Sequence, residues 1–155
     1  MIDSKSLKEL NKKLDKIGKK LVKVVEEVPT AVTQELAIGA NDIRNTIINS
    51  MMREKKTGLP YRRGKNIHIA SAPGEAPAVD FGELVRSIMF DVREMEIEVG
   101  NEAGAPYGVF LEKGTEHIEP RPWLEPAVNE HFAGILSRVG KVSFEIMGKP
   151  FEKGL

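Results

Sequence analysis

Seven apolar residues near the start of the chain, Leu7, Leu10, Leu14, Ile17, Leu21, Val24 and Val28, follow one another in strictly alternating steps of three and four. Only a helix puts residues at that spacing on one face, and the pattern is a heptad seam. The spacing predicts a helix over 3–28, with Asp3 and Ser4 to cap its start and a length of roughly 39 Å at 1.5 Å per residue. Gly18 costs such a helix about 1 kcal/mol relative to alanine. Eight lysines lie between Lys5 and Lys23, mostly off the seam, against Glu9 and Asp15. A stripe this narrow suits another helix better than a broad globular core. The helical partner belongs either to the same domain or to another subunit, and Leu7, Leu10, Leu14, Ile17 and Leu21 are the candidate oligomer contacts.

Pro29 lacks an N–H and fits the first turn of a helix better than its interior, so it predicts the end of this helix and the start of a second. The second runs to about Glu54, with Val32, Leu36, Ala40, Ile43, Ile47, Ile48 and Met51 on a broader face. REKKTGLPYRRGK follows at 53–65, where Gly58, Pro60 and Gly64 predict an irregular loop. Arg53, Lys55, Lys56, Arg62, Arg63 and Lys65 there face one acid, Glu54, and are the candidate contacts for DNA or a partner ring. A solvated charged turn is the plainer account of the same run.

Residues 66–83 predict a short extended segment and then a long exposed Pro/Gly/Ala loop. LVRSIMFDV and EMEIEVG predict two adjacent strands, the second with Met95, Ile97 and Val99 alternating against glutamates. Ala105 to Lys113 predicts a short helix with Val109 and Phe110 inward and Gly114 as its stop. Leu124, Val128, Phe132, Ile135 and Val139 then mark a long final helix, ahead of an irregular tail from VSFEIMG onward. The expected fold is α+β: two N-terminal helices, a small antiparallel sheet, a short helix and a long helix. The expected organisation is an N-terminal helix at 1–28, an α+β domain at 29–145 and a tail at 146–155.

With 155 residues and 41% hydrophobic content, the chain can bury one modest core. Its 23 lysines and arginines balance 23 aspartates and glutamates, so no net field drives it onto DNA or an acidic membrane. There is no cysteine, which excludes disulfides, thiolate metal sites and thiol nucleophiles. Charge begins at residue 3 and no apolar run reaches the ~18 residues of a membrane span, so neither a signal peptide nor an anchor is expected.

Catalytic patterns are absent in the same sense. GLPYRRGK has five residues between glycines where a phosphate-binding loop has four, and Asn66 stands where Ser or Thr should meet magnesium. His68, His117 and His131 share no ligand spacing, so structural histidines are expected. Glu112, Glu116, Glu119 and Glu125 surround a turn, and nothing in the sequence pairs two of them as acid and base. No catalytic, metal-binding or cofactor-binding residue is expected, and the chain reads as a protein that is not an enzyme.

Two stretches, in order, resemble the small tail-component family of long-tailed bacteriophages, the group named after the minor tail component of an HK-type lambdoid phage. SAPGEAPAVDFGELVRSI at 71–88 carries the first part of that pattern in Pro73, Gly74, Pro77, Gly82, Leu84, Ser87 and Ile88. YGVFLEKGTEHIEPRPWLEPAV at 107–128 carries the second in Tyr107, Glu112, Gly114, Thr115, Pro122, Trp123, Leu124, Pro126 and Ala127. Gly108 and Lys113 depart from it, and the lysine-rich helix lies outside it.

The resemblance implies a virion protein at the neck or the head-proximal end of the tail, assembled in the bacterial host cytoplasm. There it joins head to tail or completes the tail as a homo-oligomeric ring around the DNA channel. Its implied partners are other copies of itself, neighbouring connector and tail proteins, and double-stranded DNA in the channel; no membrane or cofactor is implied. Two other classes stay open on the residues alone. One is a standalone DNA-binding module using the lysine-rich helix and the 53–65 segment; the other is a small hydrolase, which would need a pocket with convergent carboxylates or histidines. Within the 107–128 stretch, Gly114 and the prolines are expected to form a rigid joint, with Trp123 as its packing anchor.

Overall fold

The structure is a computed structural model that describes residues 4–93 and 95–149, with side chains from residue 8 onward. One helix, α1 (Ser4–Met52), forms the spine and is about 73 Å long at 1.5 Å per residue. Pro29 lies inside it, so the expected break between two helices does not occur. An interior proline costs about 3 kcal/mol by deleting one backbone hydrogen bond and crowding the preceding turn. That penalty is local, whereas the apolar face continues across the proline, from Val24 through Val28 to Val32 in two steps of four, and Val32 is buried. Continuous packing along one face outweighs a single broken bond.

The basic 53–65 segment is not an irregular loop either. Strands β1 (Pro60–Arg63) and β2 (Asn66–Ile69) pair antiparallel, with Arg63 opposite Asn66, so Gly64 and Lys65 form a two-residue hairpin turn. Gly64 takes φ +59 at the first turn position, where such turns require a positive φ. Pro60 begins an edge strand, where its missing N–H breaks no ladder.

The segment from Ala70 to Gly82 has no regular structure, as expected, but it is not a freely exposed loop: Ser71, Ala76 and Pro77 are buried. A short helix, α2 (Glu83–Ser87), then replaces the first half of the expected strand. Gly82 at φ +77 starts it, Leu84 and Ser87 turn inward, and the Ser87 hydroxyl donates to the Leu84 carbonyl at 2.8 Å. Strands β3 (Ile88–Arg93) and β4 (Glu96–Asn101) follow as a second, separate antiparallel pair, with Phe90 opposite Val99 and Val92 opposite Ile97. Their inner face packs on α1, where Arg44 Nε donates to the Ile88 carbonyl at 3.0 Å.

Helix α3 (Gly108–Lys113) is shorter than expected, and Val109 and Phe110 point outward. The buried residue of that helix is Gly108, with Leu111 packed behind it against the core. Helix α4 (Glu125–Gly148) takes in residues 142–148 of the expected tail, whose last six residues lie outside the described ones, and Phe132, expected in the core, is exposed. The contact face of α4 is formed instead by Ala127, Ile135 and Ile146. Together these elements make an α+β fold.

Helix α4 runs antiparallel along α1. Thr46 Oγ1 and His131 Nε2 share a hydrogen bond of 2.8 Å, and Arg138 reaches Glu35 at 3.3 Å and Asp42 at 3.5 Å. At Gly39 there is no room for a side chain between the helices: a Cβ would stand 2.5 Å from Ile135 Cγ1. Ile43, Ile47 and Met51 of α1 close the core with Leu84, Ile88, Ala105, Trp123 and Ala127.

Candidate functional site

The 107–128 stretch is a joint, and a carboxylate organises it. Helix α4 opens at Glu125 with Leu124 in the capping position, and no side chain of its own caps it. Its first N–H groups therefore need acceptors from elsewhere. Glu112, on α3, supplies them: Oε2 accepts from the N–H groups of Trp123 at 2.6 Å and Leu124 at 2.9 Å, and Oε1 from Glu125 at 2.9 Å. Pro126 has no N–H to satisfy. A carboxylate at this end also meets the positive pole of the helix dipole.

Between the two helices Gly114 takes φ +74, and a Cβ there would lie 2.8 Å from the Ile118 carbonyl oxygen. Both the angle and the space require glycine. Thr115 closes the turn: its N–H donates to the Ile118 carbonyl at 2.8 Å, and its hydroxyl accepts from His117 at 3.2 Å and Ile118 at 3.1 Å. Trp123 is 3% exposed and its Nε1 donates to the Gly108 carbonyl at 3.0 Å. Tyr107 is partly exposed, and its carbonyl accepts the N–H groups of Phe110 and Leu111, both at 3.1 Å. Pro122 is half-buried beside Trp123.

The 71–88 stretch is tied to this joint. The Gly74 N–H donates to the Pro120 carbonyl at 2.9 Å, and Arg121 Nε donates to the Ser71 carbonyl at 3.2 Å. Glu75 clamps the same stretch to the end of α1: Oε1 accepts the Thr57 hydroxyl at 2.5 Å, and Oε2 accepts the N–H groups of Ala72 at 2.8 Å and Thr57 at 3.1 Å. The Thr57 hydroxyl, with the Ala72 and Thr57 amides and the nearby Lys56 cation, holds the Glu75 carboxyl below its ordinary value of 4.5. At the end of this stretch Gly82 leads into α2, and Leu84 lies in the core.

The six clustered cations separate into two groups. Lys56 is buried and its Nζ donates to the Ser50 carbonyl at 2.7 Å. Arg63 is paired with Asp80, and its guanidinium stands 3.9 Å over the Phe81 ring. Arg53, Lys55, Arg62 and Lys65 are exposed. On the hairpin Tyr61 stacks on His68 with ring centroids 5.8 Å apart, while Leu59 and Ile67 face solvent.

Of the candidate oligomer contacts, Leu10, Leu14 and Leu21 are each about half exposed and Ile17 is partly covered. The Leu7 side chain lies outside the described residues. If the register set by Thr46 with His131 and Gly39 with Ile135 continues at equal rise, α4 ends level with about residue 26 of α1. The seam before that point projects past the end of α4.

Two recesses flank the 70–85 arm. One, of about 280 Å³, is lined by Met51, Val79, Phe81, Leu84 and Tyr107. The other, open and about 610 Å³, is lined by Tyr61, Ser71, Pro77, His117 and Arg121. Neither brings a nucleophile, a base and an orienting group together. Among the described residues no group of three His, Cys, Asp or Glu is placed to hold a metal ion, and no helix is long and apolar enough to cross a membrane. Comparisons with protein-family models, with curated proteins and with solved structures return no match.

Sequence reasoning treated Glu112 as one of several exposed glutamates. A signal for its role was present: a helix starting at Leu124-Glu125-Pro126 has no Ser, Thr, Asp or Asn to cap it, so the cap had to come from a distance.

Proposed function

We propose that this chain is a structural component of a tailed-bacteriophage particle, a head–tail joining or tail-completion protein that works as a homo-oligomeric ring around the DNA channel. The observation that carries the reading is its surface. The chain exposes 11301 Å², whereas a compact monomer of 17.2 kDa exposes about 7,800 Å². Much of what it exposes is large and apolar: Leu14, Leu59, Ile67, Phe110, Phe132 and Phe144 are all open to solvent. Scattered single residues of this kind are ordinary, but on so extended a body they provide faces for neighbours.

Which assembly the chain joins is argued from the family resemblance of 71–88 and 107–128. Those two stretches are hydrogen-bonded to each other, Gly74 to Pro120 and Arg121 to Ser71, so the segments that carry it lie together in one part of the fold. The reading makes the exposed cations Arg53, Lys55, Arg62 and Lys65 contacts to DNA or to an acidic partner ring. The protein is then expected in the virion, at the neck or head-proximal tail. Localisation in intact particles tests this directly: symmetric density at the neck or tail end supports the reading, and absence from particles ends it.

The same four exposed cations, with the eight lysines of the N-terminal segment, favour one other reading, a DNA-binding module acting as a monomer. Duplex binding by a monomer, weakening steeply with salt, would select it.

A further inference from the structure

The arm of α1 that projects past α4 concentrates positive charge in a chain that is neutral as a whole. Residues 5–23 carry eight lysines against Glu9 and Asp15, a net charge of +6. The same segment keeps an apolar seam that its own chain leaves open: Leu10, Leu14 and Leu21 are about half exposed, and Val22 and Val25 more so. A lysine-rich helix with an open heptad seam is satisfied only by a partner that answers both features at once.

The charge is not spread evenly around the helix. In the register of the seam, Lys13, Lys16 and Lys23 line the side next to Leu10 and Ile17, where Glu9 is the one acid. The other side, next to Leu14 and Leu21, holds Asn11, Gly18, Val22 and Val25, with Lys8 balanced by Asp15. A Cβ at Gly18 would meet nothing within 4 Å, so that side is open to close approach. One flank is therefore complementary to acids and the other to an apolar surface.

Other occupants leave one of these features unmet. A second arm would set +6 beside +6. Helix α4, the other long helix of this chain, carries Arg138 and Lys141 against Glu145 over 132–147, so it offers no excess of acids. Duplex DNA would neutralise the lysines but leave the leucines in water. Helices that lie on membranes bury a broad apolar face rich in Trp, Phe and Leu, whereas this seam takes two positions in seven and the first aromatic residue of the chain is Tyr61.

We propose that the arm of α1 is one half of a two-helix contact with a different protein, whose helix is apolar at heptad positions and carries glutamates or aspartates opposite Lys13, Lys16 and Lys23. The contact adds a partner to the homo-oligomer proposed above and does not depend on it.

The test uses full-length protein and a synthetic peptide of three heptads, with leucine at both seam positions and glutamate on the flanks, beside the same peptide with lysine on the flanks. The glutamate peptide is expected to bind one to one with a gain in helical circular dichroism, and the lysine peptide at least ~10-fold more weakly. Leu14→Asp, and separately Lys13→Glu with Lys16→Glu, should each weaken the glutamate peptide by a similar factor, at exposed positions where the free protein keeps its helical signal and its mass in sedimentation. Equal binding of the two peptides, or binding that survives Leu14→Asp, overturns the proposal. So does tighter binding to phosphatidylglycerol vesicles or to duplex DNA than to the glutamate peptide. Loss of a wild-type oligomer in Leu14→Asp also overturns it, by making the seam a contact between copies. A monomeric wild type that binds the glutamate peptide in the expected way supports this contact while ending the ring reading.

Discussion

Glu112 Oε2 accepts the backbone N–H of Trp123 at 2.6 Å, and through that bond α3 fixes where α4 begins. The carboxylate and the indole cooperate: Glu112 holds the Trp123 backbone while the Trp123 ring returns a hydrogen bond to Gly108, at the start of α3. Each helix end is therefore defined by the other.

Removing that carboxylate leaves three N–H groups at the start of α4 without their acceptor. Glu112→Ala is expected to lower stability by about 2 kcal/mol, the range for losing a helix cap made by a charged group. Glu112→Gln keeps an acceptor oxygen and should lose less. Urea unfolding of the two variants beside wild type measures the difference, and equal stability of all three would mean that water replaces the cap.

Trp123→Ala is expected to cost about 3–5 kcal/mol, because the ring is buried and the joint cannot collapse into the space. Trp123→Phe should cost less, leaving mainly the Gly108 carbonyl unpaired. A loss under about 1 kcal/mol accompanied by failed assembly would instead move Trp123 to a subunit contact.

The Glu75 clamp gives the stability a pH dependence of known sign. Its carboxyl is held below 4.5 in the folded protein, chiefly by the Thr57 hydroxyl, so the folded state favours the ionised form. That stabilisation is fully present above pH 4.5 and is lost as pH falls through the lower folded value. Wild type and Glu75→Gln should differ in melting temperature near neutrality and converge in acid. A gap that stays constant with pH would show that the ionised form is not what the clamp recognises.

Gly39 sets the distance between α1 and α4. Ala in its place gains helix propensity of about 1 kcal/mol but must displace Ile135. Leu cannot fit without moving α4, and Gly39→Leu should destabilise by about 1–3 kcal/mol. Combining it with Ile135→Ala should recover part of that loss, and a double variant no better than the single would place the strain elsewhere.

Met95 takes φ +66 in the tight connection between β3 and β4. A non-glycine residue there costs roughly 1–2 kcal/mol, so Met95→Gly should raise stability despite glycine's greater unfolded entropy, by up to about 1 kcal/mol. An unchanged or lowered midpoint in denaturant would contradict this.

Much of the fold was legible because hydrophobic period is a strong local signal. The seam from Leu10 to Val28, the broader face to Met51 and the alternation of Ile97 and Val99 all lie on the elements their spacing implies. The differences share one cause: a local sequence signal carries no information about the packing around it. Pro29 signals a stop because its own cost is local and visible, whereas the burial of Val32 on the same face is tertiary. Pro60 and Gly64 predict an irregular loop when taken alone, although the same residues serve an edge strand and a hairpin turn. Size and spacing place Phe132 and Val109 inward, but both side chains are about half exposed. At the joint, Gly114 and Trp123 were legible from chemistry alone, whereas Glu112 was not, because its three partners lie eleven to thirteen residues away.

The central claim is that these uncovered faces exist to meet other copies. Sedimentation of the full-length protein at micromolar concentration and physiological salt tests it most directly. The account predicts a discrete closed oligomer, a whole multiple of 17.2 kDa that does not grow as concentration rises. A single 17.2 kDa species across that range, alone and with neighbouring tail proteins present, would contradict it.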